Sequence, residues 1–225
     1  MKHGKGNTYS TSKASATELV LLLKNNYLNT NDVVNTSYAN TPLKYLSIQN
    51  AGSNTLKATF ILQKGSYCTV KENGENLIVT VYAQHASGEK GLTGKTIVLD
   101  PGHGGSDPGA IGKVLGVTDA EVGLTVSQKL KTLLEAQGAT VIMTRNTDIR
   151  VALSDRPKIA NQAEADLFIS VHANSSTNTA PKGIQVYYYA PSSNANLYAQ
   201  SYIRKELATK VSNGLQAATG TASVV

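Results

Sequence analysis

The chain has 225 residues, of which 40 % are hydrophobic and 16 % charged, and its formal net charge is +6. This composition excludes a mainly disordered chain, and the length allows one large domain or two small ones. No apolar run is long enough to span a membrane, and Cys68, as the single cysteine, excludes both an internal disulfide and a cysteine-based zinc site. The positive charge favours an anionic partner, but no basic run is interleaved with aromatic residues, so we expect no nucleic acid.

The N-terminal part divides into three predicted segments. Residues 1–41 start as a polar stretch, and we predict that they are poorly ordered or irregular. Within them, the apolar stretch 18–26 fits either a short helix or a strand. Residues 42–83 contain short β-branched and aliphatic runs separated by glycine- and asparagine-containing turns, which predict a small antiparallel β module. Residues 84–94 are polar, contain three glycines, and are predicted to be a linker.

From residue 95 onward, strand-like and helix-like segments alternate with short connections. Such alternation predicts an α/β fold with a mainly parallel sheet flanked by helices. The predicted strands are 96–100, 139–144, 166–172 and 183–189, and the predicted helices are 119–137, 154–163 and 195–211. The first helix is expected to stop at Gly138. Its side chains expected to face the sheet are Leu124, Leu130, Leu133 and Leu134.

Two of the predicted strands deliver a histidine at their carboxyl ends. The strand 96–100 runs into a loop of glycine and proline that contains His103, and the strand 166–172 ends in His172 before a small polar loop. If the two strands are parallel neighbours, both imidazoles face one crevice. Two imidazoles with a carboxylate form an open zinc site of the hydrolytic kind. A phosphate cradle at 102–109 is a weaker alternative, because the loop lacks the lysine and hydroxyl residue of a P-loop.

These motifs resemble those of the zinc-dependent N-acetylmuramoyl-L-alanine amidases of bacterial cell walls, the family often called amidase 3. The resemblance rests on four segments, in order: 100–110, 144–148, Arg156 with 160–161, and 165–174. It extends from about Lys95 to Leu215, so the segment 95–225 is predicted to be the catalytic domain. The strand rhythm of 42–83 is loosely similar to that of the wall-targeting AMIN domains, although a plain β extension is an equal alternative.

The resemblance implies a third metal ligand near the start of the first helix, where the family has a glutamate. Counting back along the helix places this position on Asp119, whereas Glu121 is the only glutamate nearby. Aspartate ligates zinc at a similar bond length but is one methylene shorter. The resemblance therefore implies His103, His172 and either Asp119 or Glu121 as ligands, and Zn²⁺ as the cofactor.

Further residues match the family around this site. Asp100 and Asn174 are candidates to orient an imidazole through its second ring nitrogen, although hydrogen bonding at the strand ends is an equal alternative. Arg145, Asp148 and Arg156 are expected to order the loops through ion pairs.

The family's general-base glutamate, which the resemblance implies on a later strand, has no match, and no acidic residue follows Glu206. We therefore identify no catalytic base and expect either that the C-terminal part of the domain is missing or that the chain binds the wall without cleaving it.

The resemblance implies hydrolysis of the amide between N-acetylmuramic acid and L-alanine in peptidoglycan, as in an autolysin. The alternative is an inactive wall-binding or regulatory module. Peptidoglycan is the expected partner, and the net charge adds anionic wall polymers as a second possibility. The implied location is extracellular or in the cell wall, although no export signal is recognisable at the start of the sequence.

Overall fold

The structure is a computed structural model that describes residues 8–25, 34–74, 76–83, 91–175 and 182–225. The contacts divide the chain into two compact units, one formed by residues 1–86 and 182–225 and the other by residues 87–181. The strands of the first unit are β1 (Thr8–Ala14), β2 (Glu18–Lys24), β3 (Val34–Ser37), β4 (Leu43–Asn50), β5 (Thr55–Leu62), β6 (Tyr67–Asn73), β7 (Asn76–Tyr82), β11 (Ile184–Gln185) and β12 (Ser223–Val224), and its helices are α3 (Ala195–Ala199) and α4 (Ser201–Thr219). The second unit contains β8 (Thr96–Pro101), α1 (Asp119–Ala136), β9 (Thr140–Met143), α2 (Arg156–Gln162) and β10 (Leu167–Val171).

The first unit is built on an antiparallel sheet with the strand order β1-β2-β5-β4-β3. Its central strand β5 alternates strictly between partly exposed and buried residues, so one face of the strand enters the core. The hairpin β6–β7 forms a separate two-stranded sheet whose Cys68, Val70 and Leu77 join the same core. The β module predicted at 42–83 thus contains four of these strands, and its similarity to AMIN domains remains a prediction.

The prediction of a poorly ordered or irregular segment at 1–41 is wrong for the strand β1, whereas β2 takes the strand alternative left open for 18–26. Leu19, Leu21 and Leu23 are buried against β5, and β2 pairs with β5 over its whole length. The polar strand β1 is held as an edge strand by its pairing with β2. The strand β3 also lies inside 1–41, whereas residues 1–7 and 26–33 lie outside the described part of the chain.

The C-terminal residues 182–225 group with the N-terminal strands by their contacts. The strands β11 and β12 pair in parallel, and α3 contacts β1 through the Thr11 hydroxyl, which donates to Ala195 O at 2.8 Å. The predicted strand 183–189 is only two residues long, and the predicted helix 195–211 is two helices that meet at Gln200. The assignment of 95–225 as one catalytic domain remains a prediction. So does the linker at 84–94, of which residues 84–90 lie outside the described part of the chain.

The second unit carries a parallel sheet in the order β10-β8-β9, which confirms the predicted α/β fold. Ile97, Leu99 and Val141 form its buried core, against which Leu130 and Leu134 of α1 pack. Leu133, predicted to face the sheet, is 66 % exposed, because it lies beside rather than on the face formed by Leu130 and Leu134.

The helix α1 begins where the sequence predicts. Thr118 is its N-cap and forms a capping box with Glu121, and the chain turns away at Gly138, whose φ is +93°. Among the helices of the described residues, none is long and apolar enough to cross a membrane.

Candidate metal centre

Three side chains converge at the carboxyl edge of the parallel sheet. His103 Nε2 lies 3.2 Å and His172 Nδ1 lies 3.3 Å from the same carboxylate oxygen, Asp119 Oδ2. The two imidazole rings meet edge to face, with ring centroids 4.9 Å apart. One ligand atom from each of the three residues lies within 4.8 Å of the others, so the cluster could hold a metal ion.

The topology explains why both histidines reach the same place. Asp100 pairs with Ser170 and Pro101 with Val171 in the parallel register of β8 and β10. His103 and His172 therefore follow the ends of adjacent strands at one edge of the sheet. The Gly102 amide, which donates to Val171 O at 3.0 Å, extends this pairing into the histidine loop.

Glycines beside the histidines make room for the rings. A Cβ on Gly102 would lie 2.2 Å from Cε1 of His172, and a Cβ on Gly109 would lie 2.5 Å from Cδ2 of His103. His103 itself has a φ of 56°, a left-handed backbone conformation that side chains rarely adopt. The loop thus has a strained residue at the centre of the site.

Asp107, which the sequence analysis missed, fixes the second nitrogen of His103. Its Oδ2 lies 2.9 Å from His103 Nδ1, and its Oδ1 accepts from the Gly109 amide at 3.1 Å. The bond from the imidazole is the main cause of the lowered pKa of Asp107, and the Gly109 amide adds to it. A carboxylate four residues after a loop histidine was the available sequence signal.

Asp119 and Glu121, the two candidates for the third ligand, have different partners. Asp119 is buried, and its Oδ1 accepts from the Ala173 amide at 2.7 Å while Oδ2 faces the imidazoles. Glu121 instead accepts from the Thr118 amide at 2.8 Å and from the Thr118 hydroxyl at 3.0 Å. The structure therefore brings Asp119 to the histidines and leaves the Glu121 carboxylate at the helix cap.

Arg145 lies almost fully buried beneath the cluster and donates to backbone carbonyl groups. Its Nη2 donates to Gly102 O at 2.7 Å and to Ala120 O at 2.8 Å, and its Nε donates to Pro101 O at 3.1 Å. Burial lowers the pKa of this guanidinium. These bonds tie the segment before His103 to the residue after Asp119.

Arg156 and Asp100 form a second support below the histidine loop. Arg156 Nη1 donates to Asp100 Oδ1 at 2.7 Å, and Arg156 Nη2 donates to His103 O at 3.0 Å. Asp100 also accepts from Thr144 and Ser170, so its carboxylate is used within the buried network. A direct contact of Asp100 with an imidazole remains a prediction.

The other predicted residues lie around the same loops. Asp148 accepts from the Gly105 amide at 2.8 Å and so orders the histidine loop, and its charge also acts on Arg145. Asn174 follows Ala173, whose amide holds Asp119, and its role in orienting an imidazole remains a prediction.

Comparison with known proteins identifies the family. Residues 97–224 match the family Amidase_3, described as N-acetylmuramoyl-L-alanine amidase. The chain belongs to this family. The Amidase_3 match covers β8 to β12 and therefore includes all three residues of the cluster.

Individual Amidase_3 relatives agree with this match. The chain is 38 % identical over 130 residues to N-acetylmuramoyl-L-alanine amidase LytC of Bacillus subtilis, covering 58 % of this chain and 24 % of the relative. It is 38 % identical over 136 residues to the germination-specific N-acetylmuramoyl-L-alanine amidase of the same organism, covering 54 % of this chain and 56 % of the relative. The chain thus spans between about a quarter and about half of these relatives.

A solved structure also resembles the chain. The crystal structure of N-acetylmuramoyl-L-alanine amidase from Clostridium difficile 630 superposes with a TM-score of 0.50 at 29 % identity, covering 56 % of this chain and 65 % of that chain. This likeness supports the α/β fold of the Amidase_3 region.

Proposed function

We propose that the chain is a zinc-dependent N-acetylmuramoyl-L-alanine amidase that hydrolyses the amide between N-acetylmuramic acid and L-alanine in peptidoglycan. The observation that carries the proposal is the cluster of His103, Asp119 and His172 in a chain of the Amidase_3 family. The metal ligands are these three residues, with Asp119 rather than Glu121 as the third.

The donor set fits a zinc ion. Zinc in proteins bonds to imidazole nitrogen and carboxylate oxygen at about 2.0–2.2 Å, so two ligand atoms of a tetrahedral site lie about 3.3–3.6 Å apart. The contacts of Asp119 Oδ2 with the two imidazoles, 3.2 Å and 3.3 Å, are close to this spacing. Three protein ligands with an open position are typical of catalytic rather than structural zinc sites.

Asp119 is suited to bind a metal through one oxygen only. Its Oδ1 is occupied by the Ala173 amide, whereas its Oδ2 faces both histidines. The amide bond fixes the direction of the carboxylate, and burial of Asp119 limits its movement. This arrangement compensates for the shorter reach of aspartate, because the start of α1 is held against the histidine loop. The Asp119 amide donates to Ala110 O at 2.8 Å, and the Ala120 amide donates to Pro108 O at 3.1 Å.

Each residue then has a distinct role in hydrolysis. A zinc ion supplies Lewis-acid polarisation of the scissile carbonyl and lowers the pKa of water to about 7. His103 and His172 would hold the ion, and Asp119, whose Oδ2 faces both imidazoles, would add negative charge to the ligand set. Gly102 and Gly109 keep the approach to the rings free of side chains.

The partner and the location follow from this activity. The substrate is peptidoglycan, and the place of action is the cell wall or the extracellular space, where the protein would act as an autolysin. Relatives support this location, since one of them is named a probable cell wall amidase, LytH, of Staphylococcus saprophyticus. Binding to anionic wall polymers is a further expectation from the net charge of +6.

The test is release of L-alanine amino groups from purified peptidoglycan by the zinc-loaded chain. General-base proton transfer typically contributes about 10²- to 10⁴-fold to such a hydrolysis, and no base is identified in the sequence. We therefore expect slow release from the wild-type protein, carried by the metal site, and none above background from His103→Ala or His172→Ala. His85→Ala, the same substitution in the predicted linker, is the matched control and should release as much as the wild type.

Zinc binding is measured on the same samples by competition with a chromophoric chelator. Tight binding that depends on both histidines without any release would contradict the amidase proposal and favour a wall-binding module. Release that persists in His103→Ala after chelation would contradict the metal site.

A further inference from the structure

We propose that Asp107 is a positioning residue that holds His103 with Nδ1 protonated and Nε2 free to bind the metal. This inference rests on the proposed function, because it assigns a residue to the ligand set of that same site. Asp107 acts through His103 and is itself outside the cluster of ligand atoms.

The geometry that supports this role is local. Asp107 Oδ2 lies 2.9 Å from Nδ1 of His103, while Nε2 of the same ring lies 3.2 Å from Asp119 Oδ2. The two ring nitrogens thus face two different carboxylates. An ionised carboxylate only accepts hydrogen bonds, so the bond to Asp107 requires the proton on Nδ1.

The Asp107 carboxylate is itself held in place. Its Oδ1 accepts from the Gly109 amide at 3.1 Å. The backbone of Asp107 pairs with Gly104 in both directions, at 2.8 Å and 3.2 Å. These bonds close the loop around His103, so the carboxylate meets the ring at a fixed position rather than as a mobile surface group.

The position of His103 makes such support necessary. Its left-handed φ of 56° is strained, and its side chain is 27 % exposed, so packing alone does not fix the ring. Metal-binding histidines commonly donate their second N–H to a carboxylate, which fixes the tautomer and raises the basicity of the ligand nitrogen. Asp100 and Asn174 remain candidates from the sequence for such a role, and the carboxylate that lies against the His103 ring is that of Asp107.

The experiment uses Asp107→Asn in the full chain. An asparagine amide has the same shape but can donate as well as accept, so it no longer selects the tautomer of His103. The matched control is Asp155→Asn, which makes the same change at an exposed aspartate that pairs with Lys158 and lies away from the imidazoles. Folding of all three proteins is compared by thermal unfolding without metal.

The first measurement is the tautomer of His103 in the metal-free protein, read from the ring nitrogen resonances at a pH about two units above the ordinary histidine pKa. We expect Nδ1–H in the wild type and in Asp155→Asn, and a mixture in Asp107→Asn. If wild-type His103 carries its proton on Nε2, the proposal is overturned, and this holds even if Asp107→Asn does not fold.

The second measurement is the dissociation constant for zinc, without peptidoglycan. We expect Asp107→Asn to bind zinc about 10- to 100-fold more weakly than the wild type, with Asp155→Asn unchanged. Equal zinc affinity in a folded Asp107→Asn overturns the proposal. Neither measurement uses cleavage, so failure of the amidase activity and failure of this role are told apart.

Discussion

Substitution of Gly102 by alanine tests whether close packing defines the metal centre. A Cβ at this position would lie 2.2 Å from Cε1 and 2.5 Å from both ring nitrogens of His172. Favourable contacts between carbon atoms lie at about 3.5–4.0 Å, so the ring must move by more than about 1 Å. Gly102 is not among the glycines with a left-handed backbone, and the effect of the new methyl group is therefore steric.

The structure predicts a small effect on stability and a large one on metal binding. The His172 side chain is 41 % exposed, so the ring can swing into solvent, and the free energy of unfolding should fall by about 1 kcal/mol, the lower end for overpacking. Metal–ligand distances tolerate only about 0.2 Å, so a displaced His172 is lost as a ligand. Apparent zinc-binding energies of about 10–16 kcal/mol for four ligands give roughly 3 kcal/mol for one, or about 100-fold in affinity.

The assay combines urea unfolding of the metal-free protein with a zinc competition titration. The matched control is Gly214→Ala in α4, where a Cβ would meet nothing within 4 Å. This control should keep the zinc affinity and gain about 0.5–1 kcal/mol of stability, because alanine restricts the unfolded chain. Wild-type zinc affinity in Gly102→Ala would refute the reasoning, since the methyl group and the ligating ring cannot occupy the same space.

Three more substitutions or measurements test other parts of the structure. Asp119→Asn should weaken zinc binding by at least about 100-fold. Glu121→Gln keeps the capping box and should change neither the zinc affinity nor the stability. Equal losses of zinc affinity in the two variants, measured by calorimetric titration, would contradict the ligand assignment. Arg156→Met should lower the free energy of unfolding by about 3–5 kcal/mol, because it leaves the buried Asp100 carboxylate without its ion pair. A loss below about 1 kcal/mol in urea unfolding would contradict a stabilising role of the Arg156–Asp100 ion pair. Burial raises the pKa of the Cys68 thiol from 9.0 to about 12, so at pH 8 a disulfide reagent should react about 1000-fold more slowly with the native than with the urea-unfolded chain. An equally slow reaction of the urea-unfolded chain would contradict this pKa shift. The same shift lowers the free energy of unfolding as the pH rises from about 9 to about 12, because the unfolded thiol loses its proton first.

The alternating half of the chain was predictable because local signals and tertiary structure agree there. The helix α1 has a capping box at Thr118 and a glycine stop at Gly138, and the strand β8 is a continuous apolar run in a buried parallel sheet. The convergence of His103 and His172 was predicted from their places at the ends of two strands, on the condition that these strands are parallel neighbours, and the family resemblance supported it. From β8 to β10 the predicted and observed bounds differ by at most two residues, whereas the predicted elements 183–189 and 195–211 differ by more.

The strand β1 was missed and β2 was left open between helix and strand, because the signals of both strands come from their pairing partners. The segment of β1 is polar and carries no strand pattern of its own, and its place is set by hydrogen bonds to β2. In the sequence of β2 the alternation of the buried leucines Leu19, Leu21 and Leu23 cannot be seen, because the residues between them are also apolar and one of them, Val20, is buried as well. The choice between Asp119 and Glu121 was similarly open, because the two lie two residues apart and only the cap at Thr118 shows which one turns to the site.

The geometry of the proposed metal centre depends on residues that sequence spacing does not reveal. A loop rich in glycine loses much conformational entropy when it is ordered, so it does not hold two imidazoles by itself. Arg145 binds both Gly102 O and Ala120 O with one nitrogen, and it thereby fixes the neighbours of His103 and Asp119 relative to each other. Because charge-assisted bonds to carbonyl groups are strong and Arg145 is buried, this guanidinium can set the ligand geometry before any metal binds.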